Sequence, residues 1–511
     1  MKKISDLLKK IDRDDYLVLI LSISFFVSRI LMSAFGSEFD MGFLNTAWQT
    51  LDTSLLRTDL FRSIWYLHSQ PPFFNLFIGV VLKLFPTNFH IVFEVIFHLL
   101  GFILTLCLYS IIRNISSNRL LSFIISLIFV LSPSVLLFEN FFFYDFPVLV
   151  ALVIVGFFFQ KFVQTDRYVY LWVFFSTAAL LVLTRRVFHL VWFLVLAGVI
   201  LYFYRVKWKR IILIMITPLL LIVFWYGKNL YYFGNFDASS WSGMGFFKTA
   251  GYALNNQEKK EMFDRGIVSE YIFYSGDPFQ IPVQKIAVPI LDKKTLAVPA
   301  VGNFMKKDGG INYNYYAYIS LSRQVMGEFI SILKYKPSAY MKGTIATAII
   351  FFAPASNYFV ASENNNAIYP NYVLIKKWDI FFDRIIFGQP LSWGGENLQN
   401  LLANFLNIKK TYAWRLLSPG LFLIVMHLIS IFYGLRIIFQ KNAFAVYGRA
   451  VYLMVVFLVL NIFYVSAVGI LAEAGENQRH RFMVEPFVWV MFAFFIQNNF
   501  FKKLNNRFLK S

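Results

Sequence analysis

The 511-residue chain is poor in charge and almost without cysteine. The single cysteine, Cys107, lies in an apolar run, so no disulfide can form within the chain and cysteine usage does not mark a redox compartment. Charged residues make up 15%, against about 25% in an ordinary soluble domain. Carboxylates are the scarcest part: 28 Asp and Glu face 48 Lys and Arg. There is no P-loop and no dinucleotide fingerprint, so a nucleotide-sugar donor has no support. No internal repeat is visible, which weighs against the inverted-repeat transporter designs. The first apolar run, Tyr16 to Phe35, is long for a signal peptide and lacks a small-x-small cleavage site. It is expected to stay as a membrane span.

What the chain has instead is apolar sequence. Hydrophobic residues reach 58% and aromatics 20%. Several runs approach the ~20 residues needed to cross ~30 Å of hydrocarbon. A barrel would show short alternating segments, so the fold class is an all-α polytopic membrane protein. The net charge of +20 would suggest nucleic acid in a soluble protein. Here the bases cluster in short loops and both tails, the positive-inside pattern, so the partner is membrane lipid and not nucleic acid.

In chain order the spans read as about ten. They fall at about 16–35, 89–112, 120–138, 146–160, 168–184, 187–204, 211–226, 417–438, 447–470 and 482–498. Residues 1–226 form an N-terminal transmembrane module and 417–511 a C-terminal one. Between them, 227–416 is less hydrophobic and richer in turn signals, and reads as one long outer-face segment with interfacial helices. Its apolar piece 344–353 is too short to settle whether it crosses. Residues 40–66 are expected to form an amphipathic helix in the interface, with a second interfacial or re-entrant helix over about 73–85. Both termini are then cytoplasmic in a multi-pass protein of the cell membrane.

That topology gathers polar residues from separate loops onto the outer face. They include Glu38, Asp40, His68, Asp145, Arg185, Arg186, Lys228, Arg479 and Arg481. Bases usually avoid short outer loops, so the convergence points to a site. Each residue also has a plainer reading. Asp40 fits a solvated or capping carboxylate, and Asp145 fits an N-cap before Pro147. Lys228 fits a lysine snorkelling at a span end, and Arg479 and Arg481 fit headgroup anchors. His90, Glu94 and His98 share one stripe of the second span. The stripe fits either metal ligands or polar residues facing the bundle.

Three stretches carry a resemblance to a known family. They are Asp40 just after the first span, His68-Ser69-Gln70-Pro71-Pro72, and the late Arg479-His480-Arg481-Phe482-Met483-Val484-Glu485-Pro486. Their layout resembles the glycosyltransferase C superfamily, in particular bacterial relatives of the protein O-mannosyltransferases. The resemblance implies transfer of a sugar from a polyprenyl-phosphate donor to an outer-face acceptor (glycan, lipid or protein), with inversion. It implies Asp40 as catalytic base, and Asp145, Glu38 and His68 orienting acceptor or metal. Arg185, Arg186, Lys228, Arg479 and Arg481 would hold the donor phosphate. Some members use a divalent cation and others do not, so the cofactor stays open. A transporter or flippase of a lipid-linked intermediate is the alternative from another class.

Overall fold

The computed structural model describes residues 13–274, 276–289, 291–356 and 420–501, together with Trp378 and Phe382. Residues 1–12 and 502–511, and most of 357–419 in the less hydrophobic middle segment, lie outside the described residues.

The described part is helical. Its helices begin with α1 (Arg13–Ala34), α2 (Pro72–Leu84), α3 (Phe89–Ser116), α4 (Arg119–Val130), α5 (Pro133–Glu139) and α6 (Asp145–Thr165). They continue with α7 (Tyr168–Val182), α8 (Leu190–Phe203) and α9 (Trp208–Phe233). The middle-segment helices α10 (Ser242–Tyr252), α11 (Ala317–Tyr335) and α12 (Pro337–Phe351) follow. The chain then enters α13 (Leu421–Ile438), α14 (Arg449–Leu471) and α15 (Asn477–Ile496). The remaining helices are single turns or little more.

By length and composition, six of the described helices can cross a membrane: α1, α3, α6, α9, α13 and α14. The count becomes seven if α4 and α5 form one broken span, bent by 56°. Among the described residues, six or seven of the ten expected spans thus meet that test, in a multi-pass membrane protein. Pro133 causes the break, because it cannot continue α4 and instead opens α5, with Ser132 capping the new N-terminus. Helices α7 and α8 are apolar but only 15 and 14 residues long. Helix α15 has 20 residues but carries Arg479, Arg481 and Glu485.

The expected helix over 40–66 is corrected. It is three short helices, Phe43–Thr46, Thr53–Thr58 and Leu60–Trp65. Asp52 ends any continuity by accepting from the Ser54 N–H and so opening a new helix. Asp59 leaves helical dihedrals at φ −134° and breaks the run again. The second expected helix does form, as α2, and α9 runs to Phe233, past the expected boundary at 226.

Two apolar clusters hold the molecule together. The large one joins the long helices, with α6 packed against α3, α7, α14 and α15. The second belongs to the middle segment and includes Met244, Phe247, Tyr318, Val325 and Phe329 of α10 and α11. That segment is bolted onto the loop after α1. Asn314 Oδ1 accepts from the His68 and Ser69 N–H groups, and Lys306 Nζ donates to the carbonyls of Asn45 and Ala47. Asp52 accepts from the Lys307 N–H at 2.8 Å. Lower down, Glu139 is fully buried and accepts from both Arg29 of α1 and His98 of α3. This ionic clasp spans three helices.

Candidate active site

The N-termini of α6 and α15 and the C-termini of α7 and α14 meet at one end of the bundle. The residues at those ends are the charged ones. Above them, α10 and the loop after α1 close a cavity of about 530 Å³. That is the size of an ordinary small-molecule site. Its charged lining is Arg185, Arg186, Lys248 and Arg479 against Asp277, Glu473 and Glu476. Phe43, Trp48, Gln49, Gln70, Trp241, Phe279, Gln280 and His480 line it too.

Beneath this lining lies Asp145, with no exposed surface. It is the first residue of α6, but Tyr144 occupies the N-cap position. The Asp145 carboxylate instead pairs with Arg185 through one oxygen and reaches Arg479 Nη1 at 3.5 Å through the other. The Arg185 guanidinium also lies over the Tyr144 ring, 4.4 Å from its centre. One buried acid thus aims two guanidiniums from distant parts of the chain.

The second arginine of the pair turns the other way. Arg186 donates to the Trp241 carbonyl at 2.9 Å and pairs with Glu473 at 2.6 Å. Burial alone would raise the Glu473 carboxyl, but Arg186, His480, Lys248 and Arg479 outweigh it and pull the pKa down to about 2. Lys248 pairs with Asp277 at 3.2 Å, and Tyr252 donates to the same carboxylate oxygen at 3.1 Å. Burial opposes the Lys248 charge, yet Tyr252, Asp277, Glu473 and Glu476 hold its pKa above the usual lysine value.

The other predicted residues have definite places outside the lining. Asp40 pairs by backbone with 140–142, the strand-like piece that leads to Phe143 and Tyr144 on the cavity wall. One carboxylate oxygen accepts from the Gly42 N–H at 2.7 Å, while the other is buried with no hydrogen-bond partner. Burial raises its pKa, against a smaller lowering by the Gly42 bond. Glu38 is exposed. His68 is a structural bolt, with Nδ1 at 2.8 Å from Ser240 Oγ and Nε2 at 2.8 Å from the Asn314 carbonyl. Burial takes its pKa down to about 3. Lys228 donates to the Leu67 carbonyl at 2.9 Å and sits over Trp225. Arg481 donates to the Phe351 and Ala353 carbonyls and pairs with Glu485, so its guanidinium ties α15 to the end of α12. His90 is exposed, and His98 turns to Glu139. Among the described residues no three His, Cys, Asp or Glu side chains are grouped to hold a metal.

No family model and no curated protein sequence matches the chain. Among solved structures it is similar to ArnT from Cupriavidus metallidurans, determined bound to undecaprenyl phosphate. The identity is 13%, over 88% of this chain and 76% of that one, with a TM-score of 0.31. A likeness this loose leaves the chemistry to be argued from the residues of this chain.

The sequence reading missed Lys248, Asp277, Glu473 and the three glutamines of the lining. Glu473 had a visible signal, an acid just past a span end and three residues before Glu476. Lys248 and Asp277 had none, since α10 and the loop that carries Asp277 read as polar outer segment.

Proposed function

We propose that the chain is a membrane glycosyltransferase of the C type, acting on a polyprenyl-phosphate-linked sugar. The observation that carries this is the cavity with Arg185, Arg186, Lys248 and Arg479 on its wall, at one end of the membrane-spanning helices. A lipid-linked donor needs that combination. Its leaving group is a phosphate whose charge grows as the glycosidic bond breaks, so cations must be in position. Arginine suits this because its planar fork matches two phosphate oxygens at once. Its carrier chain must stay in hydrocarbon, so the cations must lie at a membrane surface.

In this reading the acceptor hydroxyl attacks the anomeric carbon, the bond to the lipid phosphate breaks, and the configuration inverts. Arg185 and Arg479 take up the phosphate charge, with Lys248 and Arg186 behind them. Asp40 receives the hydroxyl proton. Its unpartnered oxygen and raised pKa suit a base, and the acids on the cavity wall are each paired with a cation. The reading requires the cavity to close on Asp40 when the acceptor is in place. The bases at the opposite helix ends, among them Arg113, Arg119, Lys161, Arg205 and Lys441, support reading the cavity end as the outer face.

The test uses full-length protein in nanodiscs with undecaprenyl phosphate and its glycosylated form. The lipid phosphate is expected to bind, and Arg479→Ala to weaken binding at least tenfold. Asp40→Asn is expected to keep binding and lose sugar transfer. Movement of the lipid across proteoliposomes with no transfer would favour a flippase instead.

A further inference from the structure

One side of the cavity is uncharged, and phosphate binding makes no use of it. Trp48 is 41% exposed there, with its indole against Phe279 and Tyr313, ring centres 4.9 Å away in both cases. Trp241 meets Phe279 edge-on at 4.9 Å. These four rings form one patch, and Trp48, Trp241 and Phe279 face the cavity. Gln49 and Gln280 stand beside Trp48 and Phe279 in the chain, and both line the cavity. Gln70 completes the group. It follows Ser69, whose carbonyl accepts from Ser239 two residues before Trp241.

Gln70 is the informative residue. It is only 7% exposed, it lines the cavity, and its side-chain amide has no hydrogen-bond partner among the described residues. Glutamine offers two donors and an acceptor. Those valences can be met only from the cavity. The Trp241 Nε1 donor is buried without an acceptor. The patch therefore combines aromatic faces with neutral groups that both give and receive hydrogen bonds.

We infer that this wall is a subsite for an uncharged saccharide ring. A pyranose presents an apolar C–H face to an aromatic ring and a rim of hydroxyls that donate and accept. The C–H face packs on Trp48, and the hydroxyls bond to the amides of Gln70, Gln49 and Gln280. The inference rests on the glycosyl-transfer reading of the same cavity. The ring belongs either to the transferred sugar or to the acceptor, since the chemistry that recognises them is the same.

The experiment is saturation-transfer NMR on full-length protein in nanodiscs with methyl glucoside, mannoside and galactoside. At least one is expected to bind through its ring protons, about tenfold more weakly in Trp48→Ala and in Gln70→Leu. Trp48 also supports Phe279 and Tyr313, so Gln280→Leu, at an exposed position, serves as a further variant and should weaken binding in the same direction. Displacement of the glycoside by glycosylated undecaprenyl phosphate, and not by the bare lipid phosphate, assigns the ring to the donor. Binding that persists beside the glycosylated lipid assigns it to the acceptor. The subsite is overturned if no glycoside binds, if all three variants bind like the parent, or if a Ser/Thr peptide shows the Trp48 dependence instead. Undecaprenyl phosphate binding, measured in parallel with Arg479→Ala, separates the two readings. Its absence removes the transferase, while its presence without glycoside binding removes only the subsite.

Discussion

Two arginines two positions apart in α15 have opposite work. Arg479 reaches Asp145 and lines the cavity, while Arg481 is held by the carbonyls of Phe351 and Ala353 and by Glu485. Arg481→Ala is therefore expected to lower the melting temperature in micelles and to leave undecaprenyl phosphate affinity unchanged in the folded fraction. Asp145→Asn should be costlier. It leaves two buried guanidiniums short of their shared anion, and removing one partner of a buried ion pair typically costs about 3–5 kcal/mol. Thermal or SDS unfolding of the purified variant measures this, and a loss under about 1 kcal/mol would show that the arginines rely on other partners. The sequence exposed Arg185, Arg479 and Asp145 as polar residues interrupting apolar runs. It could not say which arginine of each pair faces inward, because adjacent positions point apart and only packing selects between them.

The helices themselves were legible wherever apolar runs were long. Helices α1, α3, α6, α9, α13 and α14 coincide with expected spans, since hydrocarbon thickness alone dictates their length. The loop after α1 was not legible as three pieces. Its apolar spacing resembles one helix, and the breaks come from Asp52 bonding to Ser54 and to Lys307, a partner 255 residues away. The roof of the cavity was hidden for a similar reason, because α10 depends on close backbone contacts that composition does not reveal. A Cβ at Gly343 of α12 would stand 2.0 Å from the Thr249 carbonyl of α10. Gly343→Ala must push the two helices apart, and overpacking of this kind costs about 1–3 kcal/mol. The expected result is a lower melting temperature and faster proteolysis of the segment that carries α10 to α12. A parent-like profile would mean that α10 and α12 are not in contact.

For the molecule as a whole, acid should loosen the cavity before it unfolds the bundle. Glu473 falls from the ordinary 4.5 to about 2 in the folded chain, so the unfolded state takes up the proton first. Its contribution is complete above about pH 4.5 and is lost as pH falls from there towards 2. His68 acts in the same direction. Burial takes it to about 3, so stability begins to fall below the ordinary imidazole value of 6.5. Melting temperatures between pH 7 and 3 should decline, and Glu473→Gln should start lower and decline less below pH 4.5. A slope unchanged by that substitution would remove Glu473 from the account. Orientation can be tested through the lone cysteine. Cys107 is buried, so a Cys107→Ala chain with Gln280→Cys carries one exposed thiol. A membrane-impermeant maleimide should label it from outside in whole cells, and labelling only after lysis would reverse the assigned faces. The carboxylate wedged between Arg185 and Arg479 also bears on turnover. Under the proposed function, an arriving phosphate would compete with a resident anion, which would keep the grip on the lipid moderate. Under the proposed function, Asp145 would take its place again when the spent carrier leaves, so Arg185 would regain its anion. On that proposal the site would reset itself between rounds, at the expense of tight binding.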